Sequence, residues 1–309
     1  MAEAIRIFVG CDPNDCDLEQ MAVLEYSLRQ HASMPVEIHW MQLSRDPASP
    51  WYADPAHPEN GGWRTEQWAT PFSGFRWAIP ALCNFTGRAL YLDADILALR
   101  DVAELWSRPF EPGKALMAKG RKNSWRFCVM LWDCAAARDL LPPLDELKRT
   151  PDAHANLTRR FSEHTEAIQA LHADDNNIDG EDKPIEQIRL LHYSDMGTQL
   201  SHPHAMPRLA AEGQRHWFDG RVLPHPRKDL QALFDRYYRA ALAAGVTLDQ
   251  YRAPARFGAL VKASQASYKG NRRTRRRSLW SRLTHLFVPR RDGQHGDTPG
   301  ASGADDARP

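Results

Sequence analysis

The chain has 309 residues, of which 42% are hydrophobic and 26% are charged. This length fits one large domain or two small ones, and the composition excludes a mainly disordered chain and a collagen-like repeat. The formal net charge is +1, but residues 1–268 carry 35 acidic against 30 basic residues, which argues against a nucleic-acid-binding protein.

The N-terminus has no basic region followed by a long apolar run, so we expect no signal peptide. No stretch approaches the roughly 18 apolar residues of a membrane-spanning helix. The cysteines are odd in number and follow no metal-ligand spacing, which favours reduced thiols in a cytoplasmic protein. They are Cys11, Cys16, Cys83, Cys128 and Cys134.

The first part of the chain predicts a βαβ unit. Apolar β-branched residues predict a strand over 5–11, helical spacing predicts a helix over 17–29, and alternation predicts a strand over 36–41. The order strand, helix, strand favours a mostly parallel sheet. Residues 44–71 follow as a loop rich in Pro and Trp, and a loop this long is usually functional.

The rest of the chain alternates further strands and helices. We predict a helix over 72–83 that Pro80 bends or interrupts, a strand over 89–92, a short helix over 102–106 and strands over 114–119 and 127–132. Residues 136–187 are poorly patterned, with one predicted helix at 163–172. A strand over 188–193 and an amphipathic helix over 229–244 follow, with Gly245 at the C-terminal cap position.

Two carboxylates, Asp93 and Asp95, follow the strand predicted over 89–92. In an extended segment they point to the same side and can converge on a hard cation such as Mg²⁺ or Mn²⁺. Ligands of open α/β sheets bind beyond the carboxyl ends of strands. Asp12 and His192 also end predicted strands, so both are expected at this edge, although Asp12 alternatively caps a helix and a lone histidine is often structural.

Five segments, which together cover roughly residues 5–200, share an order with a known family, and they are 5–12, 72–76, 87–97, 128–134 and 191–199. In this order they resemble glycosyltransferase family 8, whose members have the GT-A fold. The Asp-x-Asp segment 87–97 and the His-Tyr segment 191–199 are its most specific parts. The resemblance implies an α/β fold with a Rossmann-like, mostly parallel sheet flanked by helices.

The resemblance also implies an activity, which is retaining transfer of a hexose from a nucleotide sugar, usually a UDP-sugar, with Mn²⁺ or Mg²⁺. It implies three metal ligands, namely Asp93, Asp95 and His192. It implies that the catalytic residues are Asp93, Asp95 and Arg76. The implied donor contacts are Asp12 to the base, Asp93 to the ribose, Arg76 to the phosphates or sugar, and Thr198 and Gln199 to the diphosphate.

The sequence also departs from the family. Residues 126–128 are Arg-Phe-Cys where the family often has Asn-Ser/Ala-Gly, and 199–201 are Gln-Leu-Ser where it has a Lys-Pro-Trp or Gln-Pro-Trp ending. The polar cluster 174–177 favours a solvated turn, with sugar-hydroxyl contacts as the alternative. The aromatic residues of the long loop either stack on sugar faces or anchor the core.

The basic stretch 269–291 has an apolar stripe that includes Trp280 and Phe287, which is typical of a helix lying on an anionic membrane surface. The alternatives are a helix docked on the body or a solvated basic tail. Residues 292–309 lack apolar anchors and are predicted to be disordered. The expected organisation is therefore a GT-A domain at 1–268, a membrane-surface segment at 269–291 and a tail.

The expected function is a cytoplasmic hexosyltransferase, attached peripherally to the inner membrane, with a saccharide or lipid-linked acceptor and no nucleic-acid partner. Two alternatives stay open. One is a nucleotidyltransferase or nucleotide-sugar hydrolase on a similar sheet, and the other is a catalytically silent membrane-associated binding protein.

Overall fold

The computed structural model describes residues 3–121 and 124–260. Its strands are β1 Ile5–Gly10, β2 Val36–Met41, β3 Arg88–Asp93, β4 Ile96–Ala98, β5 Leu116–Arg121, β6 Ser124–Asp133, β7 Ile168–Ala170, β8 Asn177–Ile178 and β9 Leu190–His192. Its helices are α1 Leu18–His31, α2 Ile79–Leu82, α3 Ala103–Trp106, α4 Leu144–Arg149, α5 Ala153–Glu163, α6 His202–Ala211 and α7 Lys228–Ala243.

The main sheet has the strand order β2-β1-β3-β6-β5-β7. The pairs β2–β1, β1–β3 and β5–β7 are parallel, whereas β6 runs antiparallel to both β3 and β5. Five of the six strands therefore share one direction, and the predicted α/β architecture with a mostly parallel sheet is confirmed. A smaller sheet has the order β4-β9-β8.

Both faces of the main sheet are covered, because successive side chains of a strand point to opposite faces. Ile5, Ile7 and Val9 of β1 pack in one buried cluster with α1. Phe8 and Tyr91 belong to a second cluster, which contains most of the buried tryptophans. The long, nearly continuous apolar character of β1 and β3 follows from this burial on two sides.

The Pro- and Trp-rich loop contributes to the core. Trp63 and Trp68 are each 3% exposed, and both pack edge-on against Phe75. For these two tryptophans core anchoring is confirmed, and the interpretation as sugar-stacking platforms is wrong. Trp51 is half-buried and stacks on Trp63.

The helix predicted over 72–83 forms as two short pieces. A 3₁₀ turn covers Phe75–Trp77, and α2 begins at Ile79 with Pro80 in its first turn. Proline is tolerated there because the first helical N–H groups have no partner within the helix. The predicted interruption of this helix is confirmed. The 3₁₀ turn contains Arg76 and fixes its position.

The predicted helix over 163–172 is wrong. The helix α5 ends at Glu163, and the strand β7 follows, paired with β5 through Leu116 and Ile168. The apolar stripe of α5 consists of Ala153, Leu157 and Phe161, which are four residues apart and buried. The strand forms because β5 offers it an edge to pair with, a long-range contact that the local pattern does not contain.

The solvated turn predicted over 174–177 is also wrong, because Asp175 and Asn176 are completely buried. Asp175 forms ion pairs with Arg108 and with Arg189, whose Nε lies 2.9 Å from the Asp175 carboxylate. Two guanidinium groups satisfy this buried acid, so its role is structural.

The helix predicted near the C-terminal end of the described residues is confirmed as α7. Its buried residues include Leu230, Phe234 and Tyr237, and Gly245 follows with a φ of +89°. A left-handed residue at this position is the usual way to end a helix, and glycine adopts it without steric cost. No helix of the described part is long and apolar enough to cross a membrane. The predicted segments 269–291 and 292–309 lie outside the described residues.

Gly74 offers a test of how tightly the tryptophan core packs. Its backbone φ of −82° suits any residue, but a Cβ there would collide with the indole ring of Trp68. We expect Gly74→Ala to lower the free energy of unfolding by roughly 1–3 kcal/mol through overpacking, measured by urea denaturation. Gly180→Ala is the matched control, since a Cβ at Gly180 has no neighbour within 4 Å. Equal stability of the two variants would contradict this description of the core.

Candidate active site

The site lies where the strands β1 and β3 end side by side. Gly10 pairs with Asp93 across these parallel strands, so Asp12 and Asp93 emerge at the same edge. In the sheet, β2 lies on one side of β1 and β3 lies on the other side, so the chain switches sides here. Open α/β sheets bind ligands in the crevice at such a switch point. The first part of the predicted geometry, two acids at one edge, is therefore present.

His192 reaches the same place through the smaller sheet. The strand β4 directly follows the Asp-x-Asp segment, and its Ile96 pairs with His192 of β9. The Nε2 atom of His192 lies 3.1 Å from Asp95 Oδ1 and 4.0 Å from Asp93 Oδ2. The three residues predicted as metal ligands are thus brought together.

The imidazole of His192 is buried at 5% exposure, and its Nδ1 atom has no hydrogen-bond partner within the described part of the chain. Burial alone would lower the pKa of His192, but Cys128 and Asp95 hold that pKa well above its ordinary value. Nε2 is the nitrogen beside the two carboxylates, and Nδ1 is the buried nitrogen without a partner, so the ring keeps an unused nitrogen in a cluster that fits a divalent cation.

Arg76 is the fixed cation of the site. Its Nη2 lies 3.0 Å from Asp93 Oδ1, its Nε donates to the Ser73 carbonyl at 2.8 Å, and its Nη1 donates to the carbonyl of Phe127. The guanidinium also lies 4.6 Å above the Tyr91 ring. Burial opposes the charge of Arg76, but Asp93 keeps the pKa of the guanidinium above its ordinary value.

Asp93 is held from two sides, since the Tyr91 hydroxyl also donates to its Oδ1. Burial raises the pKa of the Asp93 carboxyl, and Arg76 only partly offsets this effect. One guanidinium therefore does not fully compensate the acids at this edge. An additional cation would lower the energy of the ionised cluster.

Asp12 is completely buried in the turn after β1. Its Oδ1 accepts from the backbone N–H of Asn14 at 2.7 Å and of Cys16 at 3.1 Å. Its Oδ2 has no partner among the residues that the structure describes. The alternative role of Asp12 as the cap of α1 is wrong, because that helix begins at Leu18 and Asp17 precedes it. Asp12 therefore presents one free acceptor atom at the strand end.

Gln199 connects Asp95 to the helix α1. Its side-chain amide donates to Asp95 Oδ2 at 2.9 Å and accepts from Gln20 of α1. Gln20 also donates to Ser201 at 2.9 Å. Thr198 is buried beside it, and its backbone N–H donates to the Asp195 carbonyl. Of the two residues predicted to line the diphosphate, Gln199 is in contact with Asp95, and Thr198 precedes it in the chain.

The sequence interpretation missed Cys128. Single ligand atoms of Asp93, Cys128 and His192 lie within 4.8 Å of one another. Burial raises the pKa of the Cys128 thiol, but His192 more than reverses this, so the pKa falls below its ordinary value. By sequence, Cys128 belongs both to the segment 128–134, which carries the family resemblance, and to the Arg-Phe-Cys departure, and neither pattern predicts a metal ligand there. Only the antiparallel pairing of β6 with β3 brings Cys128 beside Asp93, and no local sequence pattern predicts that pairing.

Asn176 completes the surroundings of Cys128. Its Nδ2 donates to the sulfur at 3.1 Å, and its backbone carbonyl accepts from Lys119 at 2.7 Å. Asn176 is fully buried, so it has no contact with solvent. All five cysteines lie within the described residues and are free thiols.

The sequence matches no known protein-family profile. No curated protein sequence matches it either. Three solved structures similar to this chain are those of glycosyltransferases. The galactosyltransferase LgtC in complex with donor and acceptor sugar analogues is 10% identical, with 76% of this chain and 96% of LgtC covered and a TM-score of 0.48.

The other two are the apo form of GlyE from Streptococcus pneumoniae TIGR4 and the apo bifunctional glycosyltransferase WbbM. GlyE is 14% identical, with 79% of this chain and 64% of GlyE covered and a TM-score of 0.45. WbbM is 12% identical, with 63% of this chain covered and a TM-score of 0.47. This chain covers 46% of the length of WbbM.

The buried carboxyl of Asp12 predicts a specific pH dependence of stability. Burial raises its pKa from 3.8 to about 6. Between these two pH values Asp12 holds a proton in the folded protein but has lost it in the unfolded chain. The free energy of unfolding therefore falls as pH increases from about 4 to 6. We expect Asp12→Asn to remove up to about 3 kcal/mol of this fall relative to the wild type. Urea unfolding at several pH values, without nucleotide, measures it.

The control for this measurement is Asp182→Asn, since the Asp182 side chain is 89% exposed. Its difference from the wild type should not change with pH. An Asp12→Asn curve that ran parallel to the wild-type curve over the same range would contradict the assignment.

Proposed function

We propose that this protein is a metal-dependent glycosyltransferase of the GT-A type that transfers a hexose from a nucleotide sugar. The observation that carries the proposal is the convergence of Asp12, Asp93, Asp95 and His192, with Arg76, at the carboxyl ends of adjacent strands. A nucleotide sugar has a base, a diphosphate and a sugar in line, and this edge offers groups suited to each part.

Asp93, Asp95 and His192 are the proposed ligands of Mn²⁺ or Mg²⁺. The chemistry that the cation supplies is stabilisation of the negative charge that develops on the departing diphosphate. The residues of this chain bind and orient the donor. Arg76 offers a planar cation for phosphate or sugar oxygens, held in place by its two carbonyl contacts.

Asp12 is the proposed contact to the nucleotide base. Its Oδ2 is a buried acceptor with no partner in the described residues, and an imide N–H of a uracil would satisfy it. This chemistry supports UDP-sugar as the donor class. Thr198 and Gln199 are proposed to line the diphosphate, with Gln199 also keeping Asp95 in place.

The stereochemical and cellular parts of the proposal rest on the sequence. Retention of configuration follows from the resemblance to glycosyltransferase family 8. The basic stretch 269–291 supports attachment to an anionic membrane on the cytoplasmic side and thereby a saccharide or lipid-linked acceptor. The proposed domain division is 1–268 for catalysis, 269–291 for membrane attachment and 292–309 for a tail.

The charge of Asp95 tests the proposed site. We expect Asp95→Asn to lower the rate of sugar transfer at least about a hundredfold, because a preorganised charge at the reacting centre is lost. It should also remove the Mn²⁺ dependence of UDP binding, measured by titration calorimetry. Asp182→Asn, an exposed acid outside the site, is the control. Full transfer activity with intact metal dependence in Asp95→Asn would show that the assigned site is wrong.

The same preparations separate the alternatives. A nucleotide-sugar hydrolase would release free sugar without an acceptor, and a nucleotidyltransferase would release or consume diphosphate. A catalytically silent binding protein would show no turnover under any condition. Product analysis with a panel of nucleotide sugars, with and without a saccharide acceptor, distinguishes these outcomes from transfer.

Removal of residues 269–309 tests the membrane part separately. Ten basic residues leave with this segment, nine of them in 269–291, so electrostatic attraction to anionic lipid is lost. We expect the truncated protein to keep its activity on a soluble acceptor and to stay in the supernatant when sedimented with anionic vesicles. Continued sedimentation with these vesicles would contradict the assignment of membrane attachment to this segment.

A further inference from the structure

Cys128 places a thiol inside the cation site. Ligand atoms of Asp93, Cys128 and His192 lie within 4.8 Å of one another. We propose that Cys128 binds the divalent cation as a thiolate together with Asp93 and His192, and that the site therefore prefers Zn²⁺ or Co²⁺ over Mg²⁺. This proposal deepens the proposed function and rests on it in one respect, that the same cluster holds the cation. It changes the ligand set and the preferred ion, because Cys128 replaces Asp95 as a direct ligand and Asp95 supports His192 from outside.

The sheet geometry explains why the three side chains meet. Val129 of β6 pairs with Leu92 of β3 in antiparallel register, so the preceding residue, Cys128, comes beside Asp93 at the carboxyl end of β3. His192 arrives from β9 of the smaller sheet. An ion bonded at roughly 2.0–2.3 Å fits between ligand atoms at these separations after small side-chain rotations.

Independent contacts prepare two of the ligands. The Nε2 atom of His192 is close to Asp95, whereas Nδ1 is buried and unpartnered among the atoms that the structure describes. The sulfur of Cys128 accepts an N–H from the fully buried Asn176 at 3.1 Å. A carboxylate beside a ligating histidine and an amide donor beside a ligating sulfur are the usual outer partners of a metal site.

The donor set determines the preferred ion. Mg²⁺ selects oxygen ligands, whereas a thiolate and an imidazole favour Zn²⁺ and its close analogue Co²⁺. Asp93, Cys128 and His192 offer one oxygen, one sulfur and one nitrogen. Three protein ligands leave at least one coordination position open, as in catalytic zinc sites. An oxygen of the proposed donor would occupy that position.

The first experiment uses the full-length wild-type protein loaded with one equivalent of Zn²⁺. X-ray absorption at the zinc edge should show one sulfur neighbour at about 2.3 Å and nitrogen or oxygen neighbours at about 2.0–2.2 Å. A shell of nitrogen and oxygen alone overturns the proposal, and so does a failure to bind Zn²⁺. Because this measurement needs no variant, it stands even if substitution of Cys128 disturbs folding.

The second experiment compares Cys128→Ser with Cys83→Ser, a matched control at another buried cysteine. Competition with a chromophoric chelator should show that Cys128→Ser weakens Zn²⁺ binding by more than about a hundredfold, because loss of an outer partner alone costs about 10- to 100-fold. Binding of Mg²⁺ should stay nearly unchanged. The thiolate-to-cobalt charge-transfer band of the Co²⁺ form should vanish in Cys128→Ser and persist in Cys83→Ser.

A purely structural role of Cys128 would weaken Zn²⁺ and Mg²⁺ binding equally, and the Co²⁺ form would show no thiolate-to-cobalt band that depends on Cys128. Either result overturns the proposal. None of these measurements uses a sugar nucleotide. Sulfur ligation without sugar transfer would therefore count against the proposed function alone. Transfer with a sulfur-free metal site would count against the present inference alone.

Discussion

The buried ion pair of Arg76 and Asp93 is the interaction on which the site depends. Arg76 donates to Asp93 of β3, to the carbonyl of Phe127 in β6 and to the carbonyl of Ser73 in its own turn. One guanidinium thus joins two strands and the segment after the long loop. Loss of either member would leave an uncompensated charge in a dry environment, which typically costs about 3–5 kcal/mol. Of the other site residues, Asp95 directly follows β3 and Cys128 lies in β6, the two strands that this pair joins.

The elements predicted correctly from the sequence are those whose own residues form a complete strand or helix pattern. The strand β1 is an apolar run interrupted only by Arg6, and α7 has a complete amphipathic stripe with a glycine after it. Each could be located without knowledge of its neighbours. The prediction failed for β7, which forms because β5 offers a free edge, and for Asp175, which is buried because Arg108 and Arg189 converge on it. Long-range partners decide such residues, and a local pattern does not contain them.

The same distinction applies to the site. Asp12, Asp93 and His192 were predictable because each ends an apolar run, and the ends of neighbouring strands meet at one edge. Cys128 lies inside the longest strand, and only the register of β6 against β3 brings it to that edge. The contact of Gln20 with the site could not be predicted for a similar reason. Gln20 lies on the buried side of α1 and reaches the site only through Gln199. A sequence thus indicates strand ends more readily than strand interiors.

The single reversed strand, β6, has a consequence for the order in which the molecule assembles. The strands β5 and β6 are neighbours in the chain and pair from Arg121 and Ser124 onward, so this hairpin closes a very short loop. The pairing of β1 with β3 closes a loop of roughly 80 residues, and that of β4 with β9 one of about 95, at a greater cost in chain entropy. Contacts between distant segments form slowly for this reason. We therefore expect the edge that gathers Asp12, Asp93 and His192 to be completed late in folding, after Cys128 has its place in the hairpin.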